Sequence, residues 1–170
     1  HGQLGDGTPY HRPSPAAVSG IVEAVSLSTG RGHTCALERD AGVLCWGDDD
    51  HRQLAADWPD PEVPPPISRV ASAVELVAGD SHSCALLPTG RVMCWGRNED
   101  GELGRGTRFD SGEPEEVLGL EDATGLAAGA SHTCAIRALG LVVCWGDNAH
   151  GQLGDGTNDT RPSPVAVESP

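Results

Sequence analysis

One stretch of this sequence is written three times, and that fact constrains the fold more than any other. HTCALERDAGVLCWG (His33 to Gly47) returns as HSCALLPTGRVMCWG from His82 and as HTCAIRALGLVVCWG from His132. The Cys-Trp-Gly triplets begin at Cys45, Cys94 and Cys144, steps of 49 and 50 residues, a period that belongs to propellers and solenoids. A device built at a fixed period serves the architecture, whereas a catalytic centre is assembled once from unlike residues.

Each unit reads as four short strands: an apolar piece such as VELVAG (Val74 to Gly79), then HSCAL, then RVMCWG, and last a proline-bearing piece such as PSPVAV (Pro162 to Val167). Between the third and fourth strands runs a long loop, DNAHGQLGDGTNDTR in the last unit, and the opening HGQLGDGTPYHRPSPAAV repeats its second half and the strand after it. The expected organisation is a tail of a preceding unit over residues 1–20, then units over 21–70, 71–119 and 120–170. With 23 glycines and 13 prolines, no dozen residues keep a helical apolar period uninterrupted, so the chain is expected to be all-β.

The cysteines follow from the hairpin. In HTCALERDAGVLCWG the centre of symmetry falls near Asp40, which pairs Cys35 with Cys45, Ala36 with Leu44 and Leu37 with Val43, with Gly42 in the turn. Opposed residues of an antiparallel pair stand about 4.5–5.5 Å apart at Cα, inside the roughly 4.4–6.8 Å that a disulfide accepts. Cys84 with Cys94 and Cys134 with Cys144 obey the same spacing. The expectation is one staple per unit, and with it an oxidising compartment, extracellular or periplasmic. Zinc is the alternative, because His33, Cys35 and Cys45 converge on one face, but each unit lacks a fourth ligand and any C-x2-C spacing. A redox centre would need C-x-x-C at a helix start, which is absent.

Charge excludes other classes. The chain has 25 acidic residues against 11 basic ones, all arginine, for a net of −14. Such a surface repels phosphate, so nucleic acid is not an expected partner. No run of 18 apolar residues is present, so no membrane insertion is expected.

In the order G-x-x-H-[ST]-x-A-[LI], G-x-V-x-C-W-G, N-x-x-G-x-L-G-x-G-T, complete at Gly79 to Thr107 and Gly129 to Thr157, the chain resembles the regulator-of-chromosome-condensation repeat family. The resemblance implies four-stranded antiparallel blades of about 50 residues in a β-propeller that closes with about seven. Three units would then be a partial propeller, a segment of a longer protein or an arc that self-associates through its open edges. The cysteine pairs are an addition to the family's pattern and look like a secreted bacterial branch of it.

Within that frame Trp46, Trp95 and Trp145 are expected to fill the wedge between neighbouring blades, and His33, His82 and His132 to bond a neighbouring loop's backbone. The GxLGxGT glycines suit turns; no strand-loop-helix pattern or Lys accompanies them, as a phosphate loop requires. The first unit departs from the pattern, with HRQLAADW (His51 to Trp58) where the last has HGQLGDGT, so its loop is expected to take another shape. Trp58 sits between the acidic run Asp48, Asp49, Asp50 and the stiff PDPEVPPP, which makes these four residues the candidate partner contacts. The acidic loops Asp48 to Glu62 and Glu99 to Asp122 are expected to favour a basic protein surface.

No nucleophile, base and orienter recur together, and neither cofactor nor metal is implied. The leading expectation is a secreted or surface-associated, non-catalytic protein-binding module. Alternatives are a guanine-nucleotide exchange factor acting on a small GTPase, which only the family resemblance suggests, and a structural segment of a long extracellular protein.

Overall fold

The computed structural model describes residues 2–8, 10–39, 42–55 and 66–168. The chain is all-β, and its described residues form three sheets, all antiparallel. The first contains β1 (Ala24–Thr29), β2 (His33–Glu38) and β3 (Gly42–Gly47). The second orders β4 (Glu75–Ala78), β5 (His82–Leu86), β6 (Val92–Gly96) and β7 (Ser111–Glu116) as a meander. The third does the same with β8 (Ala123–Ala128), β9 (His132–Arg137), β10 (Val142–Gly146) and β11 (Arg161–Ala166). Two short 3-10 turns, Ser68–Val70 and Ala138–Gly140, complete the regular structure of the described residues. Among the described residues no helix is long and apolar enough to cross a membrane.

Strand periodicity explains why the middle sheet is buried on both sides. Along β5 and β6, Cys84, Leu86, Val92 and Cys94 face the third sheet, while Ala85, Met93 and Trp95 face the first. Two apolar layers result, each closed by the tryptophan of the later sheet: Trp95 in one, Trp145 in the other, both fully buried. The first strands β1, β4 and β8 lie side by side, Ala78 donating its N–H to Ser28 Oγ (2.8 Å) and Leu126 its N–H to Glu75 (3.1 Å). Successive sheets therefore stack about their first strands, as propeller blades do about an axis.

Each cysteine pair stands directly opposed across a central hairpin and is bonded: Cys35 to Cys45, Cys84 to Cys94, Cys134 to Cys144, with Cα atoms 4.0–4.1 Å apart. With the sulfurs joined, they supply no thiolate for the zinc alternative.

PSPAAV (residues 13–18) forms no strand, although the nearly identical PSPVAV lies within β11 and beyond it. The reason is pairing: β11 exists by pairing with β10, and among the described residues no strand plays β10 for residues 13–18. In the first unit Ile67 donates to Val43 O (2.8 Å) as Val117 does to Val92 O and Val167 to Val142 O (both 3.0 Å), so the chain returns to the same point in every unit.

Candidate partner-binding end

In an antiparallel meander alternate connections share an end. The loops joining first to second strands (residues 30–32, 79–81, 129–131) thus lie with those joining third to fourth (from 48, 97 and 147). Three recurring ties hold this end together. Each is a consequence of the repeat.

The first tie is histidine to hydroxyl. His33 Nε2 lies 2.8 Å from Ser83 Oγ, and His82 Nε2 lies 2.9 Å from Thr133 Oγ1. The backbone of Asp80, in the neighbouring loop as expected, also acts on the His33 ring, but the tie common to both rings runs to a side chain, the Ser or Thr that follows the next unit's own histidine. Gly79 makes room, since a Cβ there would stand 2.1 Å from the His82 ring. Burial, above all, drives His33 down to about 4 and His82 to about 3, so both rings are neutral at ordinary pH. The second tie is a backbone ladder in which Arg31 N–H donates to Asp80 O (3.1 Å) and Asp80 N–H to Ala130 O (2.9 Å). The third is indole to loop: Trp46, Trp95 and Trp145 donate to the carbonyls of Gln3, Gln53 and Glu102, each in the preceding unit's loop (2.7–3.0 Å).

The loops are built on one plan. Asn98 accepts the N–H of Leu103 (2.9 Å), and its amide donates to the carbonyls of Thr107 (2.9 Å) and Phe109 (3.0 Å). Asn148 likewise accepts from Leu153 (3.0 Å) and donates to Thr157 O (3.0 Å). The expectation that the first unit's loop takes another shape is overturned as far as Ala55. Asp49 accepts from Leu54 (2.9 Å), and Arg52 (φ 60°) and Ala55 (φ 51°) take the left-handed conformations that glycine holds at Gly101 and Gly104. Non-glycine residues tolerate that region at a cost of about 1–2 kcal/mol each, which the side-chain cap and buried Leu54 offset. Room for the Arg52 stem comes from Gly112, where a Cβ would lie 3.0 Å from it; Gly101 faces Pro162 at the corresponding place.

A second exchange keeps the plan. Gln53 donates to Asp48 (3.2 Å) and Gln152 to Asp147 (2.7 Å), whereas the middle unit reverses the polarity, with Arg97 donating to the buried Glu102 (2.8 Å). Burial raises the Glu102 carboxyl above its usual range, and Arg97 opposes that shift.

Of the four candidate contacts read from the sequence, Asp48 and Asp49 are half-buried and hold the loop, while Asp50 is exposed. Trp58 lies outside the described residues. Sequence reasoning passed over two exposed aromatics at this end. The chain's one Tyr and one Phe, Tyr10 and Phe109, each stand two residues past the loop threonine (Thr8, Thr107) and are 75% and 76% exposed. Phe109 is pinned by its backbone, its carbonyl receiving Asn98 and Arg105 (3.0 and 2.7 Å), while the ring stays in water. Tyr10 borders a shallow depression with Leu4, His11 and Arg12. The exposed acids Asp50, Asp80, Glu99 and Asp110 lie on the loops of this same end. The site that results is a rigid, acidic, aromatic-bearing end.

The chain matches the family model described as "Regulator of chromosome condensation (RCC1) repeat" over residues 24–53, 73–102 and 123–152, and a second model of that description over 89–136 and 140–170. No curated protein sequence matches it. Among solved structures, human WBSCR16 is similar over 99% of this chain and 47% of its own, with 25% identity and a TM-score of 0.84. Yeast RCC1 (Prp20), solved bound to Kap60, is similar over 99% of this chain and 43% of its own, at 19% identity and a TM-score of 0.82. Prp20p from Saccharomyces cerevisiae, in a structure described with its binding to Gsp1p and histones, gives 19% identity and a TM-score of 0.83 over 99% and 45%. The chain thus spans less than half the length of each structure.

Proposed function

Because the chain belongs to the regulator-of-chromosome-condensation (RCC1) repeat family, we propose that it is a secreted or surface-associated, non-catalytic module that binds a basic protein surface through the loop end described above. The observation that carries this reading is Phe109, 76% exposed on a loop whose backbone is already fixed. An aromatic held in place loses little freedom on binding, and aromatic anchors dominate interface energetics. The net charge of −14 and the acids Asp50, Asp80, Glu99 and Asp110 favour a cationic partner and disfavour nucleic acid. Three disulfides support an extracellular or periplasmic setting. The same bonds weigh against the exchange-factor reading, whose GTPase partners act in reducing compartments.

The test is selection of a random peptide display library against the folded chain. Lys- and Arg-rich peptides should be enriched, their binding should weaken as salt rises, and Phe109→Ala should lower affinity by roughly thirtyfold, the worth of a hot-spot aromatic at about 2 kcal/mol. Enrichment of acidic or neutral peptides, or equal binding to the variant, would remove the proposal.

A further inference from the structure

The chain has three asparagines, Asn98, Asn148 and Asn158. Asn98 and Asn148 are fully buried, and their amides are spent on the loop carbonyls described above. Asn158 is exposed, its amide takes part in no hydrogen bond among the described residues, and it opens the triplet Asn158-Asp159-Thr160. That triplet is the chain's one N-x-[ST] sequence with x other than proline, the acceptor pattern for N-linked glycosylation.

The repeat asks for neither residue of the pair. Aligned on Gly104 and Gly154, Asn158 takes the place of Arg108 and Thr160 that of Asp110; in the opening copy of the loop the same places hold Pro9 and His11. Asp110 fixes its loop by accepting the N–H of Asn98 (2.8 Å), and its other oxygen lies 3.1 Å from His51 Nδ1. The Thr160 hydroxyl holds nothing among the described residues. Nor does the openness of the position depend on what flanks the third unit. Arg108 belongs to the middle unit, with a neighbour on each side, and is exposed all the same. Asn158 lies between β10 and β11 in a stretch with no strand or helix, where Asp159 N–H donates to Thr157 Oγ1 (3.2 Å). A transferase can draw such a loop into its site without breaking a strand pair.

We propose that Asn158 is an N-glycosylation acceptor, with the Thr160 hydroxyl as the recognition element two residues on. The inference rests on the secreted reading above, because the modification belongs to the same compartment as the disulfides. The co-substrate is an oligosaccharide linked to a polyprenyl diphosphate. Asn158 Nδ2 bonds to the anomeric carbon of the first sugar as the bond from that carbon to the diphosphate breaks. The polyprenyl diphosphate leaves with the electron pair, one amide proton passes to a base of the transferase, and no oxidant or reductant is required. The glycan then stands on the third unit's loop, at the same end as Phe109 and one unit along from it.

Secretion of the full chain from a eukaryotic host, behind that host's signal peptide, followed by intact-mass spectrometry, tests this. The wild type should carry added hexose and N-acetylhexosamine mass that peptide N-glycosidase removes, leaving an aspartate in place of Asn158. Asn158→Gln and Thr160→Ala should each lose the added mass completely. Thr160→Ser should keep it, which separates recognition of a hydroxyl from a general disturbance of the loop. Neither side chain takes part in the hydrogen bonding of the described fold, so every variant should retain three disulfides and the wild-type circular-dichroism spectrum. A wild type secreted with three disulfides and a bare Asn158 would overturn the acceptor site and leave the secreted reading standing. Added mass that survives Thr160→Ala would overturn the role of the hydroxyl. Six free thiols in the secreted wild type would overturn the secreted reading itself, and the acceptor site with it.

Discussion

Replacing Thr133 by valine tests whether the histidine ties hold adjacent sheets together. His82 is 1% exposed, and its Nε2 lies 2.9 Å from Thr133 Oγ1, which donates onward to Glu102 O at 3.3 Å. Valine keeps the shape of threonine and removes the hydroxyl. The Glu102 carbonyl keeps the Trp145 indole at 2.7 Å, so the loss falls on the imidazole nitrogen. A buried polar group left without a partner costs about 1–3 kcal/mol. At about 2 kcal/mol, and 2–4 °C per kcal/mol for a chain of this size, Tm should fall by roughly 4–8 °C. Thr133→Ser separates the causes, since it keeps the hydroxyl and loses one methyl, worth about 1 kcal/mol. Thr34→Val is the internal control, because no preceding histidine reaches Thr34 among the described residues, and its effect should stay within about 0.5 kcal/mol. Urea unfolding followed by circular dichroism measures all three. The reasoning fails if Thr133→Val is as stable as wild type or more stable than Thr133→Ser.

The buried histidines also set a pH dependence. Their folded values, about 4 for His33 and about 3 for His82, lie below the unfolded value near 6.5, so the folded chain binds fewer protons. Their contribution is complete above about pH 6.5 and is lost as pH falls toward 4 and then 3, a decline on the order of a few kcal/mol readable as a falling urea midpoint. Replacing Cys84 and Cys94 together by serine reopens a hairpin staple and should cost about 2–3 kcal/mol in thermal unfolding. Ala55→Gly relieves a left-handed alanine at φ 51° and should stabilise by up to about 1 kcal/mol, the gain trimmed by added freedom of the unfolded backbone. A loss of stability there would mean that the alanine methyl packs usefully.

The hairpin register could be read from sequence because Cys35 and Cys45, with Ala36, Leu44, Leu37 and Val43 between them, admit one symmetric pairing, and three copies repeat it. The histidine ties were harder to see. The Ser or Thr directly after each histidine was visible in HSC and HTC, but only the stacking of neighbouring units reveals that residue 33 meets residue 83. Reading a changed loop from the lost glycines at Arg52 and Ala55 gave too much weight to backbone preference. Asp49 caps Leu54 as the asparagines do, and Gly112 yields space to Arg52, so tertiary context overrides the local cost. Tyr10 and Phe109 escaped notice because each is a single residue. Their common position appears once the loops are aligned on Gly5 and Gly104, and their exposure appears only in the fold.

The central claim is that one end of the stacked sheets, and not the other, receives a basic partner. Titration of the isotope-labelled chain with a Lys- and Arg-rich peptide from the display selection, followed by amide chemical shifts, tests it most directly. The account predicts shifts at Tyr10, Asp50, Asp80, Glu99, Phe109 and Asp110 that diminish as salt rises, with Val22 and Leu139 at the opposite end unmoved. Shifts centred on Val22 and Leu139, with the signals of Phe109 and its acidic neighbours unchanged, would contradict it.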